Sequence, residues 1–188
     1  FGMEKYFDET LEYFKKCLMS EKPIDLVPCE EWTDDLWFMD QQNRTVIPGD
    51  GWKVINEGTA NGTLIGGNLG TLVLLHGTEY MPSLKDSVLF IEADSESKLQ
   101  NFDRDLVSLI QQPGFDSVRG IVIGRFQKDS KIEKGLLSKS IKNKKELNGL
   151  PIIADVDFGH TNPLITFPVG GQVVIDASNT PKIIITRH

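Results

Sequence analysis

The hydrophobic pattern changes its period several times along the chain. Val88, Leu89, Phe90 and Ile91 form an unbroken apolar run that ends on the carboxylate of Glu92. A short continuous run of β-branched, aliphatic and aromatic residues predicts a strand buried on both faces. Gly120, Ile121, Val122, Ile123 and Gly124 read the same way. So do Ile152, Ile153, Ala154, Asp155 and Val156, which lead into Asp157, Phe158, Gly159 and His160. Period-two alternation over 172–176 and 182–186 predicts an antiparallel pair, with Asn179, Thr180 and Pro181 as the turn. Further strands are predicted over 52–57 and 62–65.

Helical spacing fills the intervals. Phe7, Leu11, Phe14 and Leu18 recur at four and three, predicting an amphipathic helix over residues 3–20 that Pro23 ends. Asn68 is a candidate N-cap for a buried helix through Leu75, with Gly77 closing it and His76 on the last turn, where a cation is favoured. Residues 97–112 present Leu99, Phe102, Leu106, Leu109 and Ile110 on one side. Residues 128–148 present Ile132, Leu136, Leu137 and Ile141, with a lysine-rich solvated face. The expected fold is α/β: a mixed β-sheet flanked by helices, with antiparallel strands at the C-terminal end. Residues 1–50 read as an N-terminal helix and a turn-rich loop, and residues 51–188 as the α/β domain.

Charge and composition narrow the partners. The 188 residues carry a net charge of −7, which argues against nucleic acid as the main partner. No apolar run approaches the roughly 18 residues of a membrane span, so no membrane partner is expected. The two cysteines, Cys17 and Cys29, form no Cys-x-x-Cys motif and suit a reducing, cytoplasmic setting. The three histidines are dispersed without metal-ligand spacing, so no metal is expected.

The chemical lead comes from the strand ends. Ligand sites in open α/β sheets lie outside the carboxyl ends of parallel strands. Glu92 and His160 each follow such a run, and a His oriented by a carboxylate serves as a general base for a hydroxyl or thiol nucleophile. Asp94, Asp155 and Asp157 compete for the carboxylate role. In the alternative, Glu92 caps the next helix and His160 makes a loop hydrogen bond. No serine sits in a Gly-x-Ser-x-Gly elbow. Trp32 and Trp37 lie in an acidic loop, where they either anchor the loop to the core or stack on a ligand ring. Gly66, Gly67 and Asn68 form either a tight strand-to-helix turn or a backbone approach to substrate, with Asn68 as the substrate-binding candidate.

Several of these segments together resemble a known family. They are Ile65, Gly66, Gly67, Asn68 and Leu69; Leu89, Phe90, Ile91, Glu92 and Ala93; Phe158, Gly159, His160, Thr161, Asn162 and Pro163; and Thr166, Phe167, Pro168, Val169 and Gly170. In this order and spacing they resemble the C-terminal half of the LD-carboxypeptidases. Phe14, Lys15, Lys16, Cys17 and Leu18, with Glu31, Trp32, Thr33, Asp34 and Asp35, look closer to the microcin C self-immunity branch. The resemblance implies a serine peptidase with a Ser-His-Glu triad and no cofactor, in which Glu92 and His160 are the matching Glu and His.

It further implies that the serine belongs to an N-terminal domain outside this chain. The orphan helix of residues 3–20 would then pack near the domain junction, and the 188 residues alone would be inactive. Murein enzymes of the family remove a terminal D-amino acid from muropeptides. The self-immunity branch cleaves aminoacyl-nucleotide mimics, and Trp32 matches the tryptophan that stacks on their base. Two rival expectations stand beside the enzyme. One is a non-catalytic module that binds a nucleoside or peptide. The other is a homodimer formed through the exposed face of residues 3–20.

Overall fold

The computed structural model describes residue 4, residues 6–36 and residues 38–188, with only the backbone of Lys134. Trp37 and residues 3 and 5 of the predicted first helix lie outside the described residues. In chain order come α1 (Asp8–Leu18), β1 (Ile24–Leu26), β2 (Glu31–Trp32), β3 (Ile47–Pro48), β4 (Lys53–Asn56), β5 (Gly58–Asn68) and α2 (Leu69–Val73). They are followed by β6 (Ser87–Glu92), α3 (Leu99–Ile110), β7 (Gly120–Gly124), α4 (Lys134–Lys142), β8 (Ile152–Val156), β9 (Gln172–Ala177) and β10 (Lys182–Arg187).

Eight strands form one mixed sheet in the order β1-β10-β9-β5-β6-β7-β8-β4. The central strip, β5 to β8, is parallel. β9 joins β5 antiparallel, β10 and β1 extend that side, and β4 closes the other edge against β8. The expected mixed sheet with an antiparallel C-terminal end is therefore the observed one. A separate ribbon, β2 with β3, stands beside it.

Side-chain alternation on the central strands divides the core into two layers. Leu89, Ile91, Ile121 and Ile123 face α2, α3 and α4. Val88, Phe90 and Val122 face the opposite layer with Tyr13, Trp52, Phe158 and Ile185. Both faces are covered, which is why β6 and β7 read as continuous apolar runs.

Three helices depart from the periodicity. α1 buries Tyr13 and Cys17, while Leu18 of the predicted face is 62% exposed. The helix is rotated because Tyr13 is amphipathic: its ring enters the core and its hydroxyl accepts the Val27 N–H at 2.9 Å. Burial pushes the Tyr13 hydroxyl up to about 12. α2 stops at Val73, leaving Leu74 77% exposed, and Gly77 takes its left-handed φ of 77° beyond the helix. α4 is shorter than expected and leaves Leu136 47% exposed.

His76 falls past the end of α2, so it is no terminal cation. Its Nδ1 lies 3.0 Å from Ser108 Oγ on α3, and burial holds its pKa below the ordinary value of 6.5. The unfolded chain therefore takes up this proton more readily than the folded one. The contribution is fully present above about pH 6.5 and is lost as pH falls through the folded-state value. His76→Gln, which cannot titrate, is expected to flatten the decline of melting temperature between about pH 7 and pH 5. An unchanged slope in a pH series of thermal melts would remove His76 from the acid sensitivity.

Among the described residues no helix is long and apolar enough to cross a membrane, and no group of three or more His, Cys, Asp or Glu side chains could hold a metal ion.

Candidate active site

Parallel alignment of β5 to β8 brings four carboxyl ends to one edge. Asn68 ends β5 and stands directly opposite Glu92 at the end of β6. Arg125 follows β7, and Asp157 follows β8. His160 comes three residues later, on a loop held down by aromatic packing. Phe158 stacks on Phe90 with ring centroids 5.5 Å apart, and Phe167 packs edge-on against Phe158 at 5.2 Å.

Glu92 and His160 meet at this edge. His160 Nδ1 lies 2.7 Å from Glu92 Oε2. The Glu92 side chain is buried, whereas that of His160 is 46% exposed. A carboxylate only accepts, so Nδ1 carries a proton, and Nε2 is the nitrogen that bears the lone pair in the neutral ring. Gly159 makes room for the pair: with φ at 104°, a Cβ at this position would lie 2.6 Å from Glu92 Oε2. No serine, threonine or cysteine among the described residues bonds to the His160 ring.

Two of the competing carboxylates, Asp94 and Asp157, are committed elsewhere. Asp94 accepts the N–H groups of Glu96 and Ser97 at 2.9 and 3.1 Å, shaping the turn after β6. Asp157 is fully buried and accepts three hydrogen bonds. Arg125 Nη2 donates at 2.9 Å, Trp52 Nε1 at 2.9 Å and the Cys29 N–H at 3.1 Å. Glu92 does not cap α3, whose N-cap is Lys98. Asn68 does cap α2, its Oδ1 accepting the Thr71 N–H at 3.0 Å.

Trp32 reaches the same edge by a route invisible in its sequence. Thr33 and Asn162 exchange two backbone hydrogen bonds, each of 2.8 Å, so the tryptophan ribbon is bridged to the loop two residues beyond His160. Lys128 fastens the next residue: its N–H donates to Asp34 Oδ2 at 2.6 Å, and its Nζ lies 2.8 Å from Asp34 Oδ1. Asp34 holds the Lys128 ammonium above its usual range. Trp32 borders a cavity of about 460 Å³ with Pro48, Arg125 and Lys131. His160 borders another, of about 230 Å³, with Asp35, Leu36 and Leu164. Gln127 lines both.

A parallel strip with antiparallel flanks, carrying a buried Glu and an outward His at its carboxyl edge, defines the class: an α/β domain with a Glu–His pair at the carboxyl ends of its strands. The chain belongs to the LD-carboxypeptidase C-terminal domain family, which matches residues 61–175. It is 51% identical over its whole length to the Bacillus subtilis (strain 168) protein named "Putative carboxypeptidase YocD", covering 58% of that protein. The crystal structure of an MccF-like protein from Bacillus anthracis str. Ames superposes with a TM-score of 0.97 at 49% identity, covering 100% of this chain and 58% of that one. The Escherichia coli Microcin C7 self-immunity protein MccF is 30% identical over 80% of this chain and 45% of its own length.

MccF has been solved in complex with aspartyl sulfamoyl adenosine, with a TM-score of 0.79 at 28% identity over 98% of this chain and 57% of that one. Other MccF structures are a tryptophan-to-phenylalanine variant with adenosine monophosphate and an active-site mutant in which a serine, an asparagine and a lysine are replaced by alanine. The chain thus spans less than two thirds of the relatives it matches.

Proposed function

We propose that these residues form the Glu–His portion of a serine-type hydrolase that cleaves an amide-type bond, with an aminoacyl-nucleotide analogue whose acyl group is carried on nitrogen as the preferred substrate class and a muropeptide as the rival. The observation that carries the proposal is the 2.7 Å contact between His160 Nδ1 and buried Glu92, which leaves Nε2 at the open edge. The nucleophile is a serine from outside residues 1–188. Two findings support this: the relatives are longer than this chain, and a serine is among the active-site residues replaced in MccF.

In the reaction, His160 Nε2 takes the proton of the serine hydroxyl as its oxygen attacks the acyl carbonyl. It then delivers that proton to the departing nitrogen as the carbon–nitrogen bond breaks. Water, deprotonated by His160 Nε2, then attacks the acyl-serine carbonyl; the ester bond breaks, and Nε2 returns the proton to the serine oxygen. Glu92 fixes the ring and stabilises its transient positive charge. Trp32 offers a stacking surface for the leaving nucleoside, and Asn68, beside Glu92, contacts the acyl part.

The test is mass-spectrometric product analysis of the full-length protein on aspartyl sulfamoyl adenosine and on a muropeptide. Release of aspartate is expected from the first, with KM about tenfold higher for Trp32→Ala, as loss of one base–aromatic stack predicts. Cleavage of the muropeptide alone, indifferent to Trp32, would overturn the substrate class. Binding of adenosine monophosphate without hydrolysis of either compound would overturn the enzyme in favour of a binding module.

A further inference from the structure

The β2–β3 ribbon has only two residues in each strand, and an isolated ribbon of that length has no stability of its own. Something must hold the indole of Trp32 in place. The backbone bridge to Asn162 and the Asp34–Lys128 pair fix the chain on its C-terminal side, but neither touches the ring. Arg125 does. Its guanidinium carbon lies 5.0 Å from the centroid of the Trp32 ring, within the range of a cation–π contact.

Arg125 is itself only 3% exposed, and a buried guanidinium requires a partner. Asp157 supplies it through the single 2.9 Å bond from Nη2, while Nη1 lies 3.6 Å from Asp50 Oδ1. The arrangement is not the bidentate fork that best satisfies an Arg–carboxylate pair. Nε is buried and has no hydrogen-bond partner among the described residues. The guanidinium gives up hydrogen bonds and places itself against the indole.

From this geometry we infer that Arg125, oriented by Asp157, is a positioning residue for Trp32: it occupies one face of the indole and leaves the other as a fixed platform for a planar ring of the substrate. The inference rests on the reading of Trp32 as the nucleoside platform and deepens it. Asp157 is suited to the task because its other oxygen is tied to Trp52 and to the Cys29 backbone, on the segment that leads into β2. Its backbone carbonyl also accepts the Ile165 N–H at 2.8 Å, closing the loop that bears His160. The platform and the histidine therefore share one anchor.

Lysine cannot replace arginine here, because a compact ammonium lacks the flat face that lies on an indole. The test uses the full-length protein and its Arg125→Lys and Asp157→Asn variants. Asparagine keeps an acceptor for Trp52 but turns an amide N–H toward Arg125. Nitrogen-15 relaxation of the tryptophan indole N–H groups, with Trp32 assigned by its loss in Trp32→Phe, reports ring order on the picosecond-to-nanosecond timescale. Both variants are expected to lower the order of the Trp32 indole while that of Trp52 stays ordered. KM for aspartyl sulfamoyl adenosine should rise with kcat unchanged, by up to about tenfold, the rise expected when the stacking ring itself is removed.

A Trp32 indole as ordered in both variants as in the unsubstituted protein overturns the inference, as does a fall in kcat at constant KM. A KM indifferent to Trp32→Ala in the same assay strikes the nucleoside platform alone, and the relaxation data then still decide whether Arg125 positions the ring.

Discussion

Replacing His160 by alanine is expected to lower kcat/KM of the full-length protein by about three orders of magnitude or more, the usual cost of losing the base of a catalytic triad. The fold should survive. The His160 side chain is nearly half exposed and, among the described residues, makes one side-chain hydrogen bond, to Glu92. Its loop is anchored independently by the packing of Phe158 on Phe90, by the Thr33–Asn162 bridge and by the Leu164 N–H donating to Thr10 Oγ1 at 2.9 Å. Removing the ring opens Glu92 to water through the vacated space, so the carboxylate is not stranded. The expected loss of stability is about 1 kcal/mol. Parallel measurement of steady-state kinetics and thermal unfolding separates the two quantities. Near-normal turnover in a folded variant would remove His160 from the mechanism, and with it the role given to Glu92.

The central strands were legible because burial on both faces leaves little choice of residue: β6, β7 and β8 read as apolar runs and are found as such. The pairing of Glu92 with His160 was legible only as a coincidence of strand ends. Nothing in the spacing distinguished Glu92 from Asp94, Asp155 or Asp157. Tertiary structure separates Glu92 from Asp94 and Asp157, since Asp94 turns back on its own backbone and Asp157 is consumed by Arg125, Trp52 and Cys29.

The face of α1 was misread for a different reason. Tyr13 and Cys17 are as suitable for burial as Phe14 and Leu18, and the choice between them depends on where the Val27 N–H waits for an acceptor. The α2 helix was overextended because an apolar run says nothing about whether a partner surface exists for its last turn. Leu74 has none among the described residues.

Arg125 escaped sequence reading although a signal was present. It follows an apolar five-residue strand at the same edge as Glu92, and a charged residue at the carboxyl end of a parallel strand is worth flagging on that ground alone. A charge beside Phe126 and Gln127 reads instead as the start of a polar loop. Only the fold shows that the side chain turns inward, beneath Trp32 and onto Asp157. The edge thus has two layers: a buried ionic one that orients, and above it the His160 and Trp32 rings that face the cavities.

The orientation of Glu92 depends in turn on an absent side chain. In Gly159→Ala the new methyl would lie 2.6 Å from Glu92 Oε2, the oxygen that accepts the His160 Nδ1–H, and 3.0 Å from both Glu92 Cβ and Cγ. The carboxylate must swing away, and the histidine loses its orienting group. An l-residue at φ 104° also strains the loop, at a cost of about 1–3 kcal/mol. Strain alone could disturb the site, so the comparison that isolates the clash is Gly170→Ala. Gly170 has a φ of 93°, and a Cβ there meets nothing within 4 Å. Both variants are expected to lose similar stability in thermal melts. Gly159→Ala alone should lose activity, by about a hundredfold or more, as when the group that sets the tautomer of a catalytic histidine is displaced. Equal activity in the two variants would mean that Glu92 Oε2 need not stand where it does, and that His160 works without the carboxylate beside it.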